Sequence, residues 1–325
     1  MKAVQIHEFG GPEVLQHGEV DDPEPAQGEV RLKVHACALN HVDIDVREGI
    51  SRFPIEFPLI PGLEIVGTVD KLGPGTDGTV AVGDRVLPYL LGGEVFMGVA
   101  GPGGFAEYAV CPPEQLVPIP EGIDWVEAAA MQVAFGTSWH MLFTRGELRI
   151  GETVLINSVS SGIGSAAVQL AKLAGAFVIG TSSSAEKLAA AEKLGMDVGI
   201  NYNEQNVAEE VMKITGEGVD LVYEHVGGEL LQQGLQSLRQ GGRLTTCGAH
   251  SGEVVPIDMI PLFRGEWTIR GSFVYTREEL VKVLEFARRG LIKPQIAATY
   301  PLGEARAAME HMAGRDFFGK LVLQP

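Results

Sequence analysis

The chain has 325 residues, a formal net charge of −17 and three cysteines. This length fits two domains rather than one ordinary core. The negative charge argues against nucleic-acid and anionic membrane partners, and the widely separated cysteines exclude a disulfide framework and a four-cysteine zinc lobe, so we expect a cytoplasmic protein.

Short strands punctuated by glycine and proline characterise the first part of the chain, as in antiparallel β-domains. The segment 30–39 begins with alternating apolar and polar residues, and 66–72 and 83–87 are similar half-buried strands. The glycine-rich stretch 89–104 predicts an irregular loop. Both a lid and a tolerated surface insertion are open for this loop.

A dinucleotide-binding unit is predicted by the segment 150–172, where an apolar strand passes through a turn of small residues directly into a helix. Small side chains let the backbone approach a pyrophosphate, and the N–H groups at the helix N-terminus receive its charge. The residues expected at the phosphates are Ser160, Ser161, Gly162, Ile163 and Gly164. Val159 and Ser161 replace the first two glycines of the pattern G-x-G-x-x-G, so a plain turn is the alternative.

Strands and helices continue to alternate after this loop. Helices are predicted over 166–174 and 185–194, and each is followed directly by a glycine. Strands are predicted over 176–180, 220–226 and 243–248. Such alternation predicts an α/β fold with a parallel, doubly wound sheet of Rossmann type, which binds its ligand at the carboxyl ends of the strands.

The end of the second strand of this unit favours NADPH over NADH. NAD-selective sites usually place Asp or Glu there to hold the ribose 2′-hydroxyl, and this chain has no carboxylate at that point. The groups that suit a 2′-phosphate instead are Thr181, Ser182, Ser183 and Lys187. Alternatively, Ser184 only caps the next helix and Lys187 is a solvated helix residue.

The last part of the chain is expected to return to the first domain, because its few elements are too short to fold alone. We therefore predict a mainly β domain over 1–123 and 275–325, and a dinucleotide-binding domain over 124–274.

Eight motifs, spread in one order over essentially the whole chain, resemble those of the medium-chain dehydrogenase/reductase superfamily, in its zinc-free quinone oxidoreductase branch. They are Asn40-x-x-Asp43 followed by Arg47-x-Gly49, Pro61-Gly62-x-Glu64-x-x-Gly67, Gly83-Asp84-Arg85-Val86, Gly104-Phe105-Ala106-Glu107-Tyr108, Glu127-Ala128-Ala129-Ala130, Gly146-x-Leu148-x-x-Gly151-Glu152, Asn201-Tyr202 and Phe318-Gly319-Lys320-x-Val322-Leu323. The resemblance implies that the mainly β domain is GroES-like and carries the catalytic residues.

The resemblance also bears on metal and reaction. Zinc-dependent members bind a catalytic metal through a Cys at the position of Asn40 and a His at the position of Leu63, and this chain has neither ligand. A metal-free enzyme that transfers hydride from NADPH to a quinone or an α,β-unsaturated carbonyl is therefore expected. The alternatives are an alcohol dehydrogenase of the same superfamily and an NADPH-binding protein without turnover.

The matching motif positions imply the residues of the site. The catalytic positions are Asn40, Asp43, Asp45, Glu64 and Thr137, and further cofactor positions are Tyr202, Phe273, Gly319 and Lys320. Asn40 would donate to a carbonyl oxygen or serve as a turn residue. Thr137 would lie near the nicotinamide or bond back within its helix. Asp43 and Glu64 would brace loops through hydrogen bonds or by pairing with Arg47.

Asp45 departs from the family pattern, because many quinone reductases have a substrate-facing Tyr at this position. A carboxylate there would repel acidic acceptors, which leaves quinone specificity open.

The segment 267–275 resembles the last strand of the family's nucleotide domain, whose edge pairs across a two-fold axis. An exposed apolar edge strand is a liability unless it is covered, so a homodimer is expected. The alternative is a monomer whose own loops cover the edge.

Overall fold

The computed structural model describes residues 1–76, 78, 80–90 and 97–325. They form two compact units: the first contains Met1–Gln132, Leu284–Arg288 and Gln295–Pro325, and the second contains Val133–Val283 and Arg289–Pro294. The predicted domain boundaries, after residues 123 and 274, each lie nine residues before the corresponding boundaries of these units, after residues 132 and 283.

The described strands are β1 (Lys2–Gln5), β2 (Gln16–Glu19), β3 (Val30–Ala38), β4 (Glu64–Leu72), β5 (Arg85–Pro88), β6 (Tyr108–Cys111), β7 (Leu116–Pro118), β8 (Thr153–Ile156), β9 (Phe177–Ser182), β10 (Val198–Asn201), β11 (Val219–Glu224), β12 (Leu238–Thr246), β13 (Thr268–Gly271), β14 (Ile296–Pro301) and β15 (Lys320–Gln324). The described α-helices are α1 (His41–Glu48), α2 (Trp125–Ala129), α3 (Gln132–Trp139), α4 (Gly162–Leu173), α5 (Ala185–Glu192), α6 (Val207–Thr215), α7 (Gly228–Gln236), α8 (Met259–Arg264), α9 (Arg277–Arg288) and α10 (Ala305–Gly314). A π-helical segment, His140–Arg145, follows α3.

The first unit is mainly β, as predicted for the GroES-like domain. Its large sheet has the order β14-β15-β3-β4-β5-β7, and β6 also pairs with β3. The ladder is antiparallel except between β14 and β15, which pair in parallel. The last strand of the chain thus lies beside β3, in the sheet of the first unit.

The second unit contains the predicted Rossmann sheet. Its strands are all parallel in the order β10-β9-β8-β11-β12-β13. Buried aliphatic residues such as Leu155, Ile179 and Val222 form its core. The strand order reverses between β8 and β11, and ligands of doubly wound sheets bind at such a switch point, outside the carboxyl ends of the strands.

Three element boundaries differ from the predictions by four residues or more. The helix predicted from residue 166 begins at Gly162, because Ser161 caps it. The strand predicted over 243–248 begins earlier, at Leu238, because its pairing with β11 continues across a register shift. The edge strand predicted over 267–275 is limited to Thr268–Gly271.

Positions 91–96 of the predicted loop over 89–104 lie outside the described residues. Gly98 in its remaining part approaches the backbone of Gly62 so closely that a Cβ would lie 2.4 Å from the Gly62 carbonyl carbon. Among the described residues, no helix has the length and apolar character needed to span a lipid bilayer.

Candidate dinucleotide site and buried polar cluster

The loop between β8 and α4 has the geometry of a phosphate-binding turn. The Ser161 side chain is the N-cap of α4, since its Oγ accepts a hydrogen bond from the Gly164 N–H at 2.9 Å. The same hydroxyl donates to the Ser158 carbonyl at 3.0 Å. A Cβ on Gly164 would lie only 2.2 Å from the Ser158 oxygen, so this turn requires glycine at residue 164.

Val159 stands at the first glycine position of the motif and is fully buried. Its N–H donates to the Thr181 carbonyl at 2.9 Å, and its side chain packs where a Cβ on Gly180 would otherwise lie. The left-handed backbone conformation falls instead on Ser158, with φ of 53°. The valine is therefore accommodated by a complementary glycine on the neighbouring strand.

The hydroxyl groups predicted for the 2′-phosphate have different surroundings. Thr181 is fully buried, and its Oγ1 accepts from the Ser158 N–H at 3.1 Å, so it anchors the phosphate loop. The Ser182 hydroxyl lies 3.5 Å from the Ser160 hydroxyl, which brings the loop and the end of β9 together. Ser183 and Lys187 are half-buried around the start of α5.

Ser184 caps α5 by accepting from the Lys187 N–H at 3.4 Å. The capping role offered as the alternative is thus present. It concerns the backbone of Lys187 and leaves the 2′-phosphate role of that side chain a prediction.

The other predicted cofactor residues follow or precede different strands of the two units. Tyr202 is half-buried and donates its N–H to the Ser182 carbonyl at 3.1 Å. Phe273, after the edge strand, exposes 64% of its surface. Gly319 has φ of 100° and lies against the Gln295 carbonyl, so the backbone of the first unit itself requires this glycine.

The turn after β11 is held by a buried carboxylate. Glu224 accepts from the N–H groups of Val226 and Gly227 at 2.6 and 2.8 Å, and from the Thr246 hydroxyl at 3.0 Å. Burial raises the pKa of Glu224, and these hydrogen bonds oppose the rise. The Glu224 carboxylate therefore fixes the turn into α7.

His225, the next residue, was not among the predicted site residues. Its Nε2 lies 2.8 Å from the Asn157 carbonyl oxygen and 3.4 Å from the Ser161 Oγ. Burial lowers the pKa of His225 to about 4, which leaves the ring neutral near pH 7. Its position directly after a parallel strand was the one sequence signal, because such strand ends converge on the ligand.

In the first unit, Asn40, Glu64 and Lys320 form one buried polar cluster. The Lys320 Nζ donates to the Leu39 carbonyl at 2.7 Å, and to the Asn40 Oδ1 and the Glu64 Oε2 at 2.8 Å each. The Asn40 Nδ2 in turn donates to the Glu64 Oε2 at 2.9 Å. All three donors of the ammonium are thus used within this unit, and the cofactor role of Lys320 stays a prediction.

Asp43 adjoins this cluster and is fully buried. Its Oδ2 accepts from the Asn40 N–H at 2.7 Å in a capping box, while its Oδ1 has no hydrogen-bond partner among the described residues. Burial raises the pKa of Asp43 to about 7, against the lowering effects of the Asn40 N–H and the Lys320 charge. Arg47, the alternative partner, bonds instead to the Gly10 carbonyl and to Glu48.

The two remaining catalytic candidates lie outside the cluster. Asp45 is half-buried on α1 of the first unit. Thr137 is buried on α3 of the second unit. Among the residues that the structure describes, no group of three or more His, Cys, Asp and Glu side chains is arranged to hold a metal ion.

The family models agree with this division of the chain. A model described as the alcohol dehydrogenase GroES-like domain matches residues 26–121, and one described as zinc-binding dehydrogenase matches 162–289. A 2-haloacrylate reductase from Burkholderia is 34% identical, over 99% of this chain and 98% of the relative. A quinone oxidoreductase from Pseudomonas aeruginosa is 33% identical, over 100% and 99%.

The chain belongs to the medium-chain dehydrogenase/reductase superfamily, in its quinone oxidoreductase branch. A crystal structure of an NAD-dependent alcohol dehydrogenase shares its fold with a TM-score of 0.94 and 35% identity, over 100% of both chains. A mycobacterial quinone oxidoreductase gives 0.86 and 30%, again over 100% of both. The predicted fold class is confirmed.

As a medium-chain dehydrogenase/reductase, the chain is an oxidoreductase, and members of this superfamily bind NAD or NADP. The residues present fit such a dinucleotide. Helix α4 begins with Gly162, which carries no side chain that would keep a pyrophosphate from the backbone at the helix N-terminus.

Proposed function

We propose that this enzyme catalyses NADPH-dependent, metal-independent reduction of a quinone or an α,β-unsaturated carbonyl. The observation that carries the proposal is the Asn40–Glu64–Lys320 cluster. Where zinc-dependent relatives have a thiolate, this chain has a carboxamide whose oxygen accepts from a buried ammonium. Leu63, at the position of a histidine ligand, is also buried and offers no donor atom to a metal.

The absence of metal-ligating side chains at these positions selects the class of acceptor. Reduction of a conjugated acceptor does not need a Lewis acid, since the charge that follows hydride addition spreads onto a carbonyl or quinone oxygen and a proton from solvent completes the product. The bound dinucleotide would supply the hydride. Two relatives are named for acceptors of this class, quinones and 2-haloacrylate.

The preference for NADPH is supported by the end of β9. Residues 181–184 there are all hydroxyl side chains, and Lys187 follows in the first turn of α5. A 2′-phosphate would gain hydroxyl donors and a cation, whereas a ribose 2′-hydroxyl finds no carboxylate to accept from it.

A homodimer is also supported by exposed apolar surface. All four residues of β13 are exposed or half-buried in this edge strand. Nearby in sequence, Val254, Met259, Ile260 and Phe263 expose between 54% and 92% of their surface. A second copy of the chain would cover both the strand edge and these side chains.

Light scattering during gel filtration should report a dimer, and Phe263→Glu should produce monomers. A monomeric wild type would refute the proposed homodimer.

We also propose a cytoplasmic setting. Cys37, Cys111 and Cys247 are all free thiols, and two of them are buried, which suits a reducing compartment.

The test of the reaction is the initial rate of NADPH oxidation by protein treated with a chelator, with a small quinone and a small enone as acceptors and NADH as the comparison. The proposal expects turnover that survives chelation and is faster with NADPH. Activity that disappears on chelation and returns with zinc would support the alcohol dehydrogenase alternative. Tight NADPH binding without turnover on either acceptor would favour a non-catalytic binding protein.

A further inference from the structure

His225 is a buried, titratable side chain that the proposed chemistry does not use. Only 6% of its surface is exposed. Because a carbonyl oxygen can only accept, the short contact from Nε2 to the Asn157 oxygen assigns the ring hydrogen to Nε2. The Ser161 Oγ lies 3.4 Å from the same nitrogen, so both oxygens are within reach of one N–H group.

These two oxygens belong to opposite ends of the phosphate loop. Asn157 directly follows β8, and its own N–H donates to the Tyr223 carbonyl at 3.1 Å. Ser161 is the residue that caps α4. The His225 ring, which directly follows β11, therefore contacts both the first and the last residue of the loop.

The position of the imidazole is itself fixed from both sides. Tyr223 contacts the ring edge-on, with centroids 5.9 Å apart, and the Tyr223 hydroxyl bonds to the Ser138 Oγ at 2.9 Å. On the other side, Glu224 holds the turn that follows. These contacts fix the position of the His225 ring, which in turn contacts the loop.

The loop needs such support because it lacks two glycines of its motif. Ser158 adopts a left-handed conformation that disfavours a residue with a side chain, and Val159 occupies a glycine position. We propose that His225 is a positioning residue, whose N–H holds Asn157 and Ser161 so that the loop is preformed for the pyrophosphate. The inference rests on the proposed dinucleotide binding.

Three substitutions separate this role from simple packing. His225→Met keeps a similar volume without a donor, His225→Gln keeps an N–H at similar reach, and His225→Asn carries the same amide on a side chain too short to reach. We expect Met and Asn to raise the Kd for NADPH roughly tenfold. Gln should restore most of the affinity, and kcat at saturating NADPH should stay within about twofold of wild type in all three.

Two further readouts report on the loop itself. Without cofactor, amides of 157–164 should exchange hydrogen faster in the Met and Asn variants than in wild type. Ser161→Ala combined with His225→Met should raise the Kd by less than the product of the single effects, because both remove the same contact.

The outcomes distinguish the two proposals. If wild type binds no NADPH, the proposed function fails whatever the variants do. If wild type binds NADPH but the Met, Asn and Gln variants all bind it with unchanged Kd, the positioning role of His225 is overturned. Equal losses in the Asn and Gln variants would also overturn it, since only packing would then explain them.

Discussion

Replacing Asp43 by Asn tests whether a buried carboxyl beside the polar cluster keeps its proton near neutral pH. Asn preserves the size of the side chain and an oxygen that can accept from the Asn40 N–H, which Asp43 accepts at 2.7 Å. The groups whose charges act on Asp43 include Glu64 and Lys320. The charge of Asp43 in turn raises the pKa of the Cys37 thiol. The substitution therefore removes the titration and little else.

The sign and size of the expected change in unfolding free energy follow from the raised pKa of Asp43, which is about 7 in the folded chain against 3.8 for an ordinary Asp. Between these values the unfolded chain has released the proton while the folded chain retains it. The folded state then binds more protons, so the stability from this group is lost as pH rises through the window. One pKa unit corresponds to ~1.4 kcal/mol, which gives a loss of about 4 kcal/mol between about pH 4 and about pH 7.

The assay is urea unfolding of wild type and Asp43→Asn, monitored by tryptophan fluorescence at several pH values between about pH 5 and about pH 8. The two proteins share every other titrating group, so the difference in their unfolding free energies isolates Asp43. Wild type should lose stability relative to the variant as pH rises, and the difference should level off above about pH 8. A difference that does not change with pH would refute the reasoning.

Three further substitutions test the sites. Lys320→Met should lower the unfolding free energy by about 3–5 kcal/mol, because it removes the ammonium that forms the ion pair with the buried Glu64 carboxylate. Urea unfolding measures this loss, and a value below about 1 kcal/mol would contradict the pairing. Gly164→Ala should weaken NADPH binding by at least about tenfold in a fluorescence titration, since its Cβ would meet the loop backbone, whereas Gly314→Ala, with open space around it, should bind as wild type does. Ser183→Asp should shift the ratio of kcat/KM values toward NADH by about tenfold or more, and an unchanged ratio would count against 2′-phosphate recognition at the end of β9.

The parallel sheet and its phosphate loop could be predicted because their signals are local. Apolar strands, small turn residues and helix-ending glycines all lie within a few positions of the elements that they define. The predicted start of α4 is four residues too late, because Ser161 caps a helix that begins at Gly162, before the apolar run from residue 166. Capping by a side chain inside a glycine-rich turn has no periodicity that a sequence reveals.

The buried cluster could not be predicted in the same way. Lys320 and Glu64 are 256 positions apart, and their pairing depends on β15 lying beside β3. From the motif alone, a lysine next to Gly319 was assigned to the cofactor. His225 was missed for a related reason, since its two hydrogen-bond partners lie on another strand end and on a loop cap.

The cluster balances the buried charges around Asn40. A buried charge is tolerated when a partner neutralises it and hydrogen bonds satisfy its remaining atoms. The single ammonium of Lys320 forms an ion pair with Glu64 at 2.8 Å, so its charge is matched by one carboxylate. Asp43 is the second acidic group beside this ammonium, and the Lys320 charge lowers its pKa less than burial raises it, to about 7. Removing Lys320 should accordingly shift the ionisation of Asp43 to still higher pH, because the charge that lowers its pKa is lost.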